Sequence, residues 1–138
     1  MALPPRVFCD TSFFYACLDP ADANHVRAGE LVTEAADSSC DLWTTWDIVS
    51  ETVALLRYHR GYSAALVFLN KVKPALRILL YGDRVRVTAE GVFRQFARYR
   101  PLSFCDAVSF VVVTTLLDDM PCFSFDRDFR RLGLTVLG

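Results

Sequence analysis

The stretch Arg6-Val7-Phe8-Cys9-Asp10-Thr11-Ser12-Phe13-Phe14 decides how this chain is read. Val7, Phe8 and Cys9 follow the breaker Pro4-Pro5 and form a short apolar run. A run of this length, bounded by a turn signal, suits a strand buried on both faces. It stops abruptly on an acid. A buried carboxylate costs several kcal/mol unless it is paired or bound to a metal. An acid at the C-terminal end of a central parallel strand lies where open α/β sheets hold ligands. Asp is also a favoured helix N-cap, so Asp10 has two readings, a cap or the first member of a site. The rest of the chain bears on that choice, because it places more acids in similar positions.

Working outward, Leu42-Trp43-Thr44-Thr45 reads as a second strand, rich in aromatic and β-branched residues. Arg84-Val85-Arg86-Val87 alternates and reads as a third strand, entered through a Gly82-Asp83 turn. Cys122-Phe123-Ser124-Phe125 is a fourth, again ending on an acid, Asp126. Leu134-Thr135-Val136 is the last. The spacing predicts helices over 13–18, 23–36, 48–58, 63–73 and 89–99, a buried helix over 102–117 and a helical turn over 129–132. Asp47 is placed to cap the helix over 48–58, with Glu51 near the edge of its buried stripe and Gly61 ending it. In the helix over 89–99, Val92, Phe93 and Phe96 face inward, while Arg94, Arg98 and Arg100 point elsewhere. Strands alternating with helices predict an α/β domain with a mostly parallel central sheet flanked by helices, one domain over 1–138.

Composition narrows the function. Hydrophobic residues make up 53% of the chain, enough for a sizeable core and too many for disorder. The net charge is only -1, yet residues 1–56 hold nine acids against Arg6 and Arg27. Residues 57–138 hold thirteen bases, eleven of them Arg, against seven acids. Arg favours bidentate contact with phosphate, so this split fits a metal-dependent site acting on a polyanion. The five cysteines are odd in number and form no CxxC pair, and Cys9, Cys105 and Cys122 sit in apolar runs. They read as small buried hydrophobes in a reducing compartment. No signal peptide precedes Pro4, and the apolar stretch over 107–117 is too short to span a bilayer. The expectation is a soluble cytoplasmic protein with no membrane partner.

Two strands stop at carboxylates, Asp10 and Asp126, and two helices carry acids near their starts, Glu51 and Asp106. In a doubly wound sheet these four ends can converge. Converging carboxylates repel one another unless a cation is present, and hard oxygen ligands suit Mg²⁺ or Mn²⁺. Such a site polarises phosphate and lowers the pKa of a bound water. A zinc site has no support, since His25 and His59 lie far apart in the chain.

With those residues in view, the chain resembles the PIN-domain nucleases, in particular the VapC-type toxins of toxin–antitoxin systems. The matching pieces are Cys9-Asp10-Thr11-Ser12, Ser50-Glu51-Thr52, Cys105-Asp106-Ala107 and Ser124-Phe125-Asp126-Arg127-Asp128-Phe129. The resemblance lies in the set of four in order. It implies a three-layer PIN fold and Mg²⁺- or Mn²⁺-dependent endoribonuclease activity. It matches Asp10, Glu51, Asp106 and Asp126 to a catalytic acidic quartet, with Asp10, Asp106 and Asp126 on the metal. Ser12 and Ser124 match supporting hydroxyl positions, and Asp128 is an additional acid that either reaches metal or caps the next helix. The implied partners are an RNA substrate and a small antitoxin. The high apolar content adds an expected homodimer.

Other classes fit less well. A PIN-like domain that binds RNA or a partner without cleaving it, and a free-standing RNA-processing PIN nuclease, remain alternatives. A phosphoacceptor receiver wants a Lys beside its acids, and the chain has only Lys71 and Lys73, just before a proline. A dehalogenase-like phosphatase wants a second Asp where Ser12 stands, and no GxGxxG supports a dinucleotide fold.

Overall fold

A computed structural model describes residues 3–138; Met1 and Ala2, part of the expected 1–138 span, lie outside the described residues. At its centre is the strand β1, Arg6–Cys9. Val7, Phe8 and Cys9 are fully buried, as a strand covered on both faces requires. β1 pairs in parallel with β2, Asp41–Thr44, on one side and β4, Cys122–Phe123, on the other. The short strands β3, Arg77–Ile78, and β5, Val136–Leu137, form the edges. The order is β3-β2-β1-β4-β5, with every pairing parallel. Each parallel neighbour needs a crossover, and helices supply the crossovers.

Asp10 caps α1, Thr11–Leu18, and Phe13 and Phe14 of that helix enter the core. The second helix, α2, spans His25–Asp37 and buries Ala28, Leu31 and Ala35. α3, Trp46–Arg60, follows β2 after a single residue and buries Ile48, Val49, Thr52 and Leu56. Gly61 turns the chain at φ 93°, a left-handed value that favours glycine, into α4, Tyr62–Val67. The buried helix of the sequence reading is α6, Phe104–Leu116, and the last helix is α7, Arg127–Arg131. Among the described residues no helix is long and apolar enough to cross a membrane. All five cysteines are free.

Several expectations need correction. Arg84-Val85-Arg86-Val87 is not a strand but the first turns of α5, Asp83–Phe96. Its alternation is only four residues long, and Val85 with Ala89 and Val92 also fits helical spacing. Burial chooses the helix: Val85 and Ala89 are inside while Val87 is 65% exposed, where a strand face would bury both valines. The third strand is Arg77–Ile78, which pairs with Trp43 and Thr44 at the sheet edge. Phe93 does not face fully inward; it is 37% exposed and lies beside Phe104, ring centroids 6.0 Å apart. Thr45, not Asp47, caps α3 through its hydroxyl, leaving Asp47 in the first turn to accept a hydrogen bond from the Tyr81 hydroxyl. The helix expected over 63–73 stops as an α-helix at Val67, widens into a π turn over Phe68–Val72 and tightens over Lys73–Ala75, where Pro74 sits. β4 ends at Phe123, so Asp126 lies in the connection beyond it rather than on the strand's last residue.

Candidate active site

Asp10 sits where β1 gives way to α1, and its backbone there is extended, as an N-cap requires. Its Oδ1 accepts hydrogen bonds from the Phe13 backbone N–H at 3.1 Å and from the Ser12 hydroxyl at 2.7 Å. Oδ2 accepts from the Ser124 hydroxyl at 2.8 Å. Asp10 therefore caps a helix and also lines a cleft. Asp10 is only 4% exposed, and burial pushes its pKa from 3.8 up to about 7, helped by the charge of Asp126 and opposed by its hydrogen bonds.

The same two hydroxyls tie the neighbouring loop to β1. The Phe125 backbone N–H donates to Ser12 Oγ at 2.9 Å, and the Asp126 N–H donates to Ser124 Oγ at 3.0 Å. Each serine thus donates to one oxygen of Asp10 and accepts from the chain after β4. Asp126 in turn caps α7, its Oδ1 accepting from the Asp128 N–H at 2.9 Å.

Asp106 stands in the first turn of α6. Ser103 and Asp106 form a reciprocal capping box: the Asp106 N–H donates to Ser103 Oγ at 3.0 Å and the Ser103 N–H donates to Asp106 Oδ2 at 3.1 Å. Burial lifts the Asp106 pKa from 3.8 to about 6, and the charges of Asp126 and Glu51 add to the rise. Glu51 is half-buried on α3, at the edge of that helix's buried stripe as expected.

Asp10, Ser12, Glu51, Asp106 and Asp126 line one cleft of about 310 Å³ at the C-terminal end of the sheet's central strands. Among the described residues, none of these acids has a cation within ion-pair reach. Ser124 lies behind Asp10 and holds it. Asp128 is not part of the lining; it is a buried residue of α7 itself, with Arg131 of the same helix 3.7 Å away. The cleft also includes Thr11, Tyr15, Asp22, Asn24 and Leu55, which sequence reasoning did not single out. Asp22 and Asn24 belong to the link between α1 and α2, whose sequence carries only a turn signal after Asp19-Pro20. Leu55 and Tyr15 look like core residues by spacing.

The donor set fits a hard divalent cation. Every carboxylate in it supplies oxygen, the acids raise one another's proton affinity, and Thr11 Oγ1 is buried at the cleft without a hydrogen-bond partner. Among the described residues no three acidic, histidine or cysteine side chains stand close enough to form a complete ligand cluster. Mg²⁺ does not require one, because it keeps several waters and takes one or two carboxylates.

A parallel α/β sheet with four carboxylates at the end of its central strands defines a class, and comparison with known proteins agrees. The PIN domain family model matches residues 7–134, and the chain belongs to that family. It is similar to the crystal structure of the Mycobacterium tuberculosis toxin VapC20, described as cleaving the sarcin-ricin loop. The likeness covers 94% of this chain and 96% of the other, with a TM-score of 0.81 and 26% sequence identity.

Proposed function

We propose that the protein is a VapC-type endoribonuclease that hydrolyses RNA phosphodiester bonds in the acidic cleft with Mg²⁺ or Mn²⁺, as the toxin of a toxin–antitoxin pair. The observation that carries this reading is the uncompensated carboxylate cluster: Asp10, Glu51, Asp106 and Asp126 arrive from four separate elements and line one cleft. Such a cluster destabilises the metal-free fold, which argues for a use that needs it. The likeness to VapC20 supports the substrate class.

In this reading the metal would sit among Asp10, Asp106 and Asp126, bound directly by one or two of them and through water by the rest, and Glu51 would supply the fourth charge on the α3 wall. When bound, the metal supplies a Lewis acid for the phosphate and a water of lowered pKa. The chain's own part is positioning. Ser12, Ser124 and the Phe13 N–H fix both oxygens of Asp10, so the carboxylate cannot rotate away to relieve repulsion. The Ser103 N–H fixes one oxygen of Asp106. The Asp128 N–H fixes one oxygen of Asp126. An antitoxin would cover the cleft with an Arg or Lys reaching the acids, and the assembly would be a homodimer.

The test is cleavage of total RNA by purified protein with Mg²⁺ or Mn²⁺. Activity should disappear in EDTA and in the variants Asp10→Asn and Asp126→Asn; equal cleavage in excess EDTA rejects the reading. The second reading, RNA binding without cleavage, draws on the absence of a tight three-ligand cluster among the described residues. It expects RNA retention with no metal-dependent product. Light scattering and co-purification from the native host test the assembly; a monomer that retains no partner removes that part.

A further inference from the structure

α3 carries a row of side chains that leads out of the cleft. Glu51 and Leu55 line the cleft, and Tyr58 and His59 follow at positions that share their side of the helix. Tyr58 is 83% exposed. Its ring meets His59 edge to face, with centroids 4.8 Å apart and planes at 89°. His59 meets Tyr15 of α1 in the same way, at 6.0 Å and 80°. Tyr15 itself lines the cleft, and its hydroxyl donates to Asp19 at 2.7 Å, while Asp19 pairs with Arg60 at 3.7 Å. An unbroken aromatic path therefore runs from the acids to the exposed end of α3.

One exposed tyrosine is ordinary surface. Tyr58 differs because it continues the wall of the cleft and because its surroundings change sign. Before it the chain holds only Arg6, Arg27 and Arg57 among its bases, and Arg57 and Arg60 flank the Tyr58-His59 pair. Exposed rings beside guanidinium groups suit unpaired nucleobases, since every base has a face to stack and every linkage a phosphate to neutralise.

We propose that Tyr58 and His59 form a stacking shelf for an unpaired RNA base adjoining the nucleotide whose phosphate occupies the acidic cleft. This rests on the endoribonuclease reading, and the shelf fixes which stretch of strand enters.

The experiment compares the parent with Tyr58→Ala and Tyr58→Phe. Binding is read by fluorescence anisotropy with a single-stranded 2′-O-methyl oligonucleotide, which resists cleavage; cleavage is read with the matching ribonucleotide. Tyr58→Ala should bind about tenfold more weakly, the loss expected for one stacked base, and Tyr58→Phe should bind like the parent. In cleavage the loss should appear in KM rather than in kcat. Equal binding by the parent and Tyr58→Ala overturns the shelf, as does a Tyr58→Ala variant that loses a co-purifying protein while holding RNA normally. A parent that binds the oligonucleotide but cuts no ribonucleotide overturns the endoribonuclease reading instead, and the Ala–Phe comparison still decides the shelf.

Discussion

Ser124 donates its hydroxyl hydrogen to Oδ2 of Asp10 at 2.8 Å, joining residues 114 positions apart in the chain. Ser124 Oγ also accepts the Asp126 N–H, so one buried hydroxyl serves two acids of the site at once. Ser124→Ala should leave a buried carboxylate oxygen and a backbone N–H each short of a partner. The expected loss is about 1–3 kcal/mol of stability, read by urea unfolding. RNA cleavage should fall with it, because Asp10 gains freedom to rotate. A variant as stable and as active as the parent counts against the serine bridge.

Asp106→Asn separates a cap from a site. Asn is nearly isosteric and keeps an acceptor for the Ser103 N–H, so the capping box survives. The substitution removes a charge that burial, Asp126 and Glu51 all oppose. In EDTA the variant should melt at the parental temperature or higher. With Mg²⁺ the parent should gain stability by ligand linkage and the variant less, with cleavage falling sharply. Parallel melting curves across a Mg²⁺ titration, with unchanged cleavage, would take Asp106 out of the site.

The metal-free protein should lose stability as pH rises. Asp10 and Asp106 have folded pKa values of about 7 and about 6, both above the unfolded value of 3.8. Across that window the folded state binds more protons than the unfolded one, so unfolding free energy falls with increasing pH. The contribution is complete below about pH 4 and gone above about pH 7. Melts in EDTA should therefore favour about pH 5 over about pH 8, and Mg²⁺ should close the gap by binding the ionised acids. The double variant Asp10→Asn/Asp106→Asn should show a flatter profile; an identical slope rules out these two acids as its source.

Asp128 lies outside the cleft, so its carboxylate should matter to α7 rather than to the chemistry. Asp128→Asn should weaken the contact with the half-exposed Arg131 and cost about 1 kcal/mol or less. Cleavage should stay at the parental rate. A collapse of activity without a change in melting temperature would return Asp128 to the site.

Much of this was legible in the sequence because it is local. The run Val7-Phe8-Cys9 is buried on both faces because its composition leaves it no polar face, and Asp10 caps a helix because a short polar side chain suits that position. The order of acids along the chain, with the parallel architecture implied by alternating elements, placed four carboxylates at one end of the sheet. Tertiary structure decided the rest. Whether Arg84–Val87 became strand or helix turned on which valine met the core, since four residues fit either period. Arg77–Ile78 became the edge strand through backbone pairing with β2, which its side chains do not announce. Ser12 and Ser124 became partners of one carboxylate, and Tyr15, Asp22 and Asn24 walls of one cleft, only because β1 and β4 are neighbours and α1 folds back beside them. Such contacts depend on sheet order and helix packing, which join residues that are remote in the chain.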